Sequence, residues 1–214
     1  MKNSIKLSYA IPVCNEADEL IRLLDLLIEH KQEQDEIIVV TDADSATPEV
    51  LSIIEDYEII EGTDNIKVFR NSLNGNFAQH KNYLNSKCTG DWIVQLDADE
   101  YITETLLANI HTILESNTDV DAIWLPRVNT VEGLTQIDIT KWGWNVNGEG
   151  HVNWPDFQCR LYKNKPEIKW KNKVHEQLTG YEASSNFPLI EAFAIQHPKT
   201  IDRQRKQNDF YETL

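Results

Sequence analysis

Two runs in this chain, Glu36–Thr41 (EIIVVT) and Trp92–Leu96 (WIVQL), are apolar almost without a break. A strand with one wet face alternates apolar and polar residues. An unbroken run needs cover on both faces, which a parallel sheet between two helix layers supplies. The intervening segments read as the required helices. Asn15 is a plausible N-cap for a helix to about His30, with Leu20, Leu23, Leu24, Leu27 and Ile28 on one face. Thr47 precedes Pro48 at the first turn of a second helix carrying Val50, Leu51 and Ile54 inward. Phe77–Lys87 reads as a short helix closed by Gly90, and Thr103 caps a helix bearing Leu106, Leu107, Ile110, Ile113 and Leu114. With strands at Ile5–Ile11, Ile66–Arg70 and Val120–Val128, the β-α-β-α order predicts an α/β fold. Its sheet is Rossmann-like and mostly parallel, with helices on both faces.

The pattern fades after position 128. Residues 129–200 show no clear helix, and a polar helix begins near Thr200. A length of 214 residues suits one domain, 1–214, with a ligand-binding half (1–128) and an irregular half (129–214) ending in that helix. Four of the six tryptophans, Trp142, Trp144, Trp154 and Trp170, fall in the second half. They serve as a stacking platform or as core, and an even split is expected.

Ligands on such sheets bind beyond the carboxyl ends of the strands. Polar residues gather there: Asn15-Glu16, Asp42-Ala43-Asp44-Ser45 and Asp97-Ala98-Asp99-Glu100. No glycine loop of the G-x-G-x-x-G or G-x-x-x-x-G-K-[ST] type is present to cradle a phosphate. His175-Glu176 does not extend to H-E-x-x-H, because Thr179 stands at the last position, and no G-x-S-x-G elbow exists. Without backbone amides for a diphosphate, a divalent metal held by carboxylates is the substitute. Asp97-x-Asp99 supplies hard oxygens suited to Mg²⁺ or Mn²⁺, although alone it reads first as a solvated turn, since D-x-D is common by chance.

No run approaches the ~20 apolar residues that span a bilayer. The alternating N-terminus is unlike a signal peptide. Cys14, Cys88 and Cys159 form no C-x-x-C pair. These features point to a soluble, reduced, cytoplasmic protein. The formal charge of −15 is uneven. Residues 160–206 hold 10 Lys/Arg against 5 Asp/Glu, whereas residues 1–159 hold 10 against 28. The basic segment is either a solvated surface or a face for an anionic partner.

Taken together, Ser8–Glu16 (SYAIPVCNE), Glu36–Ser45 (EIIVVTDADS), Phe77–Asn82 (FAQHKN) and Gly90–Glu100 (GDWIVQLDADE) resemble the family 2 glycosyltransferases of the GT-A fold. Phe157–Tyr162 (FQCRLY), Val174-His175-Glu176 and Ile195–Lys199 (IQHPK) resemble a bacterial and phage branch that includes lipopolysaccharide core enzymes.

The resemblance implies a nucleotide-sugar donor and a cation, Mn²⁺ or Mg²⁺. Pro12, Glu16, Asp42, Lys81 and Asp97 fall on its nucleotide-binding positions. Asp42 would accept the uracil N3–H, which favours a UDP-sugar. Glu16 lines the same pocket or is only a first-turn acid favoured by the helix dipole. Lys81 would meet the diphosphate or is an ordinary helix lysine. Asp99 would bind the metal directly. Asp97 would reach it through water or hold the ribose, and His197 would complete the site. Glu176 is the implied base of an inverting transfer, with His175 the alternative base or an orienting partner. The acceptor expected is an anionic, lipopolysaccharide-type saccharide. A hydroxymethylated base in phage DNA is the second reading, and a nucleotide-binding module without catalysis the third.

Overall fold

The computed structural model describes residues 4–61 and 66–211. Among these, the strands are β1 (Leu7–Val13), β2 (Glu36–Asp42), β3 (Ile66–Asn71), β4 (Trp92–Gln95), β5 (Ala122–Glu132), β6 (Asp156–Lys163), β7 (Lys169–Lys171), β8 (Gln177–Thr179), β9 (Ser184–Asn186) and β10 (Ile195–Thr200). The helices are α1 (Ala17–His30), α2 (Pro48–Glu61), α3 (Phe77–Asn85), α4 (Glu104–Ser116), α5 (Gln136–Trp142) and α6 (Ile201–Tyr211), with a 3₁₀ turn at Glu191–Phe193.

The main sheet runs β10-β5-β6-β4-β1-β2-β3, with β9 beside the start of β5. Every pairing is parallel except those of β6, which lies antiparallel between β4 and β5. β7 and β8 form a separate hairpin. The main sheet therefore continues past position 128, because β6 and β10 come from the later part of the chain.

Strand parity explains the unbroken apolar runs. Leu7, Tyr9, Ile11, Ile37, Val39, Trp92 and Val94 pack on one face with Leu20, Leu23, Leu24 and Leu27 of α1 and Leu106, Leu107 and Ile110 of α4. Ala10, Ile38, Val40 and Ile93 face the other way, towards Ala78 and Leu84 of α3, Tyr162, and Trp170 and Leu178 of the hairpin. Helices thus cover both faces. Each such leucine contributes about 1.5–3 kcal/mol relative to exposure.

Local details differ from the sequence reading. Residue Glu16, not Asn15, precedes α1, and its side chain does not cap the helix. Gly90 does not close α3, which ends at Asn85. A Cβ at Gly90 would lie 2.7 Å from Ser8 N, so glycine is required there by the close approach of β1. The stretch 129–200 does contain a helix, α5. It is too short to show a period but is fixed by a Thr135–Asp138 capping box. Of the four clustered tryptophans, only Trp170 is in the core. Trp142 and Trp144 lie against each other, half-buried, with ring centroids 4.7 Å apart.

Candidate active site

A cavity of about 470 Å³ opens at the carboxyl ends of β1, β2 and β4. Pro12, Glu16, Asp42, Lys81, Asp97, Asp99, Glu176 and His197 all line it. His175 does not: its side chain is exposed, and its backbone has φ +52°.

β4 delivers Asp97 and Asp99 through a tight turn in which Glu100 N donates to the Asp97 carbonyl (2.8 Å). One residue on, Tyr101 and Gln196 exchange backbone hydrogen bonds of 3.0 and 2.8 Å, which brings the turn against β10. His197 Nε2 consequently lies 3.3 Å from Asp99 Oδ2. The other imidazole nitrogen is 2.7 Å from Asn129 Oδ1. The Asn129 amide donates to Asp156 Oδ2 (2.9 Å), so its oxygen must face the histidine, and Nδ1 carries the proton. Nε2 therefore faces the Asp99 carboxylate oxygen, and a proton on Nε2 or a shared cation joins the two. This donor set fits a divalent ion, with Asn129 orienting the imidazole. Lys199 and Arg203 also stand 3.6 Å from Asp99 Oδ2. Burial raises the Asp99 carboxyl, but the His197 hydrogen bond and the neighbouring charges outweigh it and hold the group well below the usual carboxylate range.

Asp97 is committed differently. Its Oδ1 is 3.2 Å from Lys81 Nζ and its Oδ2 is 2.7 Å from Arg160 Nη2. Both oxygens thus meet cations, and Asp97 does not join Asp99 and His197 around a common point. Burial opposes its charge, but Arg160, then Lys81 and Arg127, lower its pKa far below normal. Behind it, Arg160 and Arg127 converge on Glu100 Oε1 at 2.6 and 2.7 Å, and Arg127 also reaches Asp156 at 2.8 Å. Such a buried network holds geometry more than it adds stability.

Lys81 also reaches Glu176 Oε1 at 2.7 Å, so this nearly buried ammonium spans both carboxylates. Asp42 uses Oδ1 to accept from Leu73 N (3.0 Å) and Asp44 N (3.4 Å). Glu16 folds back: Oε2 accepts from Cys14 N (2.8 Å) and Asn15 N (3.0 Å), while Oε1 meets Arg203 at 3.2 Å. It shapes the loop after β1.

The sequence reading missed Arg160, Arg127, Asn129, Lys199 and Arg203. For Arg160 a signal existed, a cation inside an otherwise buried strand (Cys159, Leu161, Tyr162). Six of the ten cations in the basic segment, Arg160, Lys163, Lys165, Lys199, Arg203 and the half-exposed Arg205, pair with acids. Lys169, Lys171 and Lys173 remain exposed.

The sequence profile described as Glycosyl transferase family 2 matches residues 8–177. The chain belongs to glycosyl transferase family 2. The fold of this family 2 chain is that of TarS 1–349 from S. aureus, at a TM-score of 0.63 and 16% identity over 97% of this chain and 63% of that one. TarS 1–349 in complex with UDP-GlcNAc superposes at 0.64, also at 16% identity, over 91% of this chain and 59% of that one. Mannosyltransferase PcManGT from Pyrobaculum calidifontis, in complex with GDP-Man and Mn²⁺, gives 0.50 at 19% identity over 59% of this chain and 36% of its own. These likenesses establish the GT-A fold. The family 2 chain spans only part of each of these proteins. No curated protein matches it in sequence. Among the described residues, no helix is long and apolar enough to cross a membrane.

Proposed function

We propose that this glycosyltransferase moves a sugar, with inversion, from a nucleotide diphosphate sugar to a hydroxyl of a saccharide acceptor. The observation that carries the reading is the convergence in one cavity of the Asp99–His197 pair, the Lys81 bridge and Glu176. That UDP-GlcNAc and GDP-Man are bound by proteins of the same fold supports a nucleotide-sugar donor.

The free oxygen of Asp42, Oδ2, is suited to accept the uracil N3–H, because Oδ1 is held by backbone amides; this favours a UDP-sugar. Asp99 and His197 would hold Mn²⁺ or Mg²⁺. When bound, that ion offsets charge on the departing diphosphate. Asp97, anchored by Arg160, would hold the ribose or reach the metal through water. Lys81 exchanges Glu176 for the diphosphate when the donor enters. Glu176, so released, takes the acceptor hydroxyl proton as that oxygen attacks the anomeric carbon opposite the leaving group. Glu176 is preferred to His175 as the base because it alone of the two lines the cavity.

A saccharide acceptor is favoured over DNA, since most cations of the basic segment are already paired within the protein. The test is a thermal-shift screen of nucleotide sugars with and without Mn²⁺. A donor at a hundred times its Kd stabilises the fold by about 2.7 kcal/mol. A UDP-sugar should raise the melting temperature most, and more with Mn²⁺. No shift with any nucleotide sugar would refute the reading.

A further inference from the structure

We propose that Glu149, His151 and Glu191 form a second cation site, of the Zn²⁺ class, that ties the loop beside the candidate active site to the 3₁₀ turn before β10. The ligand atoms of these three residues lie within 4.8 Å of one another, and the group shares no residue with the Asp99–His197 pair. His151 Nδ1 stands 3.4 Å from Glu191 Oε1 and 3.9 Å from Glu149 Oε2.

His151 is the decisive residue. It is only 9% exposed, and among the described residues its buried Nδ1 has no hydrogen-bond partner. A buried polar atom left without a hydrogen bond is costly, so such atoms normally have a partner. The carboxylates stand at ion-pair distance from this Nδ1 without forming a hydrogen bond. The spacing has a simple explanation: ligands on a tetrahedral Zn²⁺, at bonds of about 2.0–2.1 Å, sit roughly 3.3–3.4 Å apart. The Glu191 separation matches already. Glu149, whose side chain is 74% exposed, has the freedom to close the rest. Asn147 Nδ2 donates to Glu149 Oε2 (3.0 Å), the outer-shell contact a ligating carboxylate needs. One imidazole and two carboxylates suit a borderline-soft ion and leave a fourth position for water.

The location gives the site a purpose. Val152 and Asn153, next along the chain from His151, line the cavity, and Val152 N donates to the Asn129 carbonyl (2.9 Å). Glu191 begins the 3₁₀ turn, and the chain passes from that turn directly into β10 and His197. A cation here would lock together two segments that frame the cavity.

The test titrates Zn²⁺ into the metal-stripped full chain, using competition with a chromophoric chelator, in an Asp99→Asn background that disables the other pair. One equivalent should bind, and His151→Gln and Glu191→Gln should each weaken it at least ~100-fold, beyond the effect of losing an outer-shell partner. Far-UV circular dichroism and the zinc-free melting temperature report whether each variant folds. Glu191 is exposed, so its variant carries the test if His151→Gln does not fold. Absence of zinc binding in Asp99→Asn, or binding equally tight in Glu191→Gln, would mean that His151 and the two glutamates form an ion pair only and would overturn the proposal.

Discussion

Lys81 Nζ lies 2.7 Å from Glu176 Oε1 and, on its other side, 3.2 Å from Asp97 Oδ1. A single ammonium therefore joins the proposed base to the first acid of the D-x-D motif. An entering diphosphate competes for the same cation, which couples donor binding to release of the base. Lys81→Met should weaken donor binding by about 1.5–3 kcal/mol, the worth of a hydrogen bond to a charged group. Calorimetric titration of UDP against both proteins checks this, and equal affinities would remove Lys81 from the donor site.

Glu176→Gln keeps size and one acceptor oxygen but cannot take a proton. The turnover number should fall about 10²–10⁴-fold while donor affinity is retained. His175→Gln, on an exposed side chain off the cavity wall, should retain most of the activity. The reverse ranking in a steady-state assay would move the base to His175.

That the D-x-D acids, Asp42, Lys81 and Glu176 would gather at one cavity was legible because the family's short strings fix them locally, mostly at strand ends that the apolar runs announce. The sheet was legible for a related reason: a run such as EIIVVT admits few other homes. What escaped is non-local. Arg160 serves Asp97 from 63 positions away, through the antiparallel insertion of β6, which no periodicity signals. Asn129 matters only because β5 and β10 pair in a register that sets it beside His197. Asn15 and Gly90 were misread as helix caps: Glu16 holds the position before α1, and Gly90 answers to the close approach of β1.

Asp42→Asn preserves an oxygen for the Leu73 amide but turns the second position into a donor facing another donor, N3–H. UDP affinity should drop by about 1.5–3 kcal/mol, and preference for uracil over other bases should shrink. Competition binding with UDP, GDP and ADP measures it, and unchanged selectivity would deny Asp42 its role at the base.

Glu36 ties β2 to its surroundings. It is only 2% exposed, and accepts from Ser8 Oγ (2.7 Å), Thr89 N (2.5 Å) and Oγ1 (2.8 Å), and Lys67 Nζ (3.1 Å). Burial opposes the charge, but these bonds lower its carboxyl from 4.5 to about 2. Because the folded value is depressed, the stabilisation is complete above the unfolded value and is lost as pH falls from about 4.5 to about 2. It amounts to about 3 kcal/mol. In urea titrations, Glu36→Gln should be less stable than the parent at pH 7, with the gap narrowing below pH ~4 as the parent protonates. A constant gap would contradict the assignment.

The most direct test of the central claim, that Asp99 and His197 share a cation serving a bound diphosphate, is calorimetric titration of UDP with and without Mn²⁺ into the parent and Asp99→Asn. The account predicts that Mn²⁺ tightens UDP binding to the parent and has no effect in Asp99→Asn. Equal enhancement by Mn²⁺ in both proteins would contradict it.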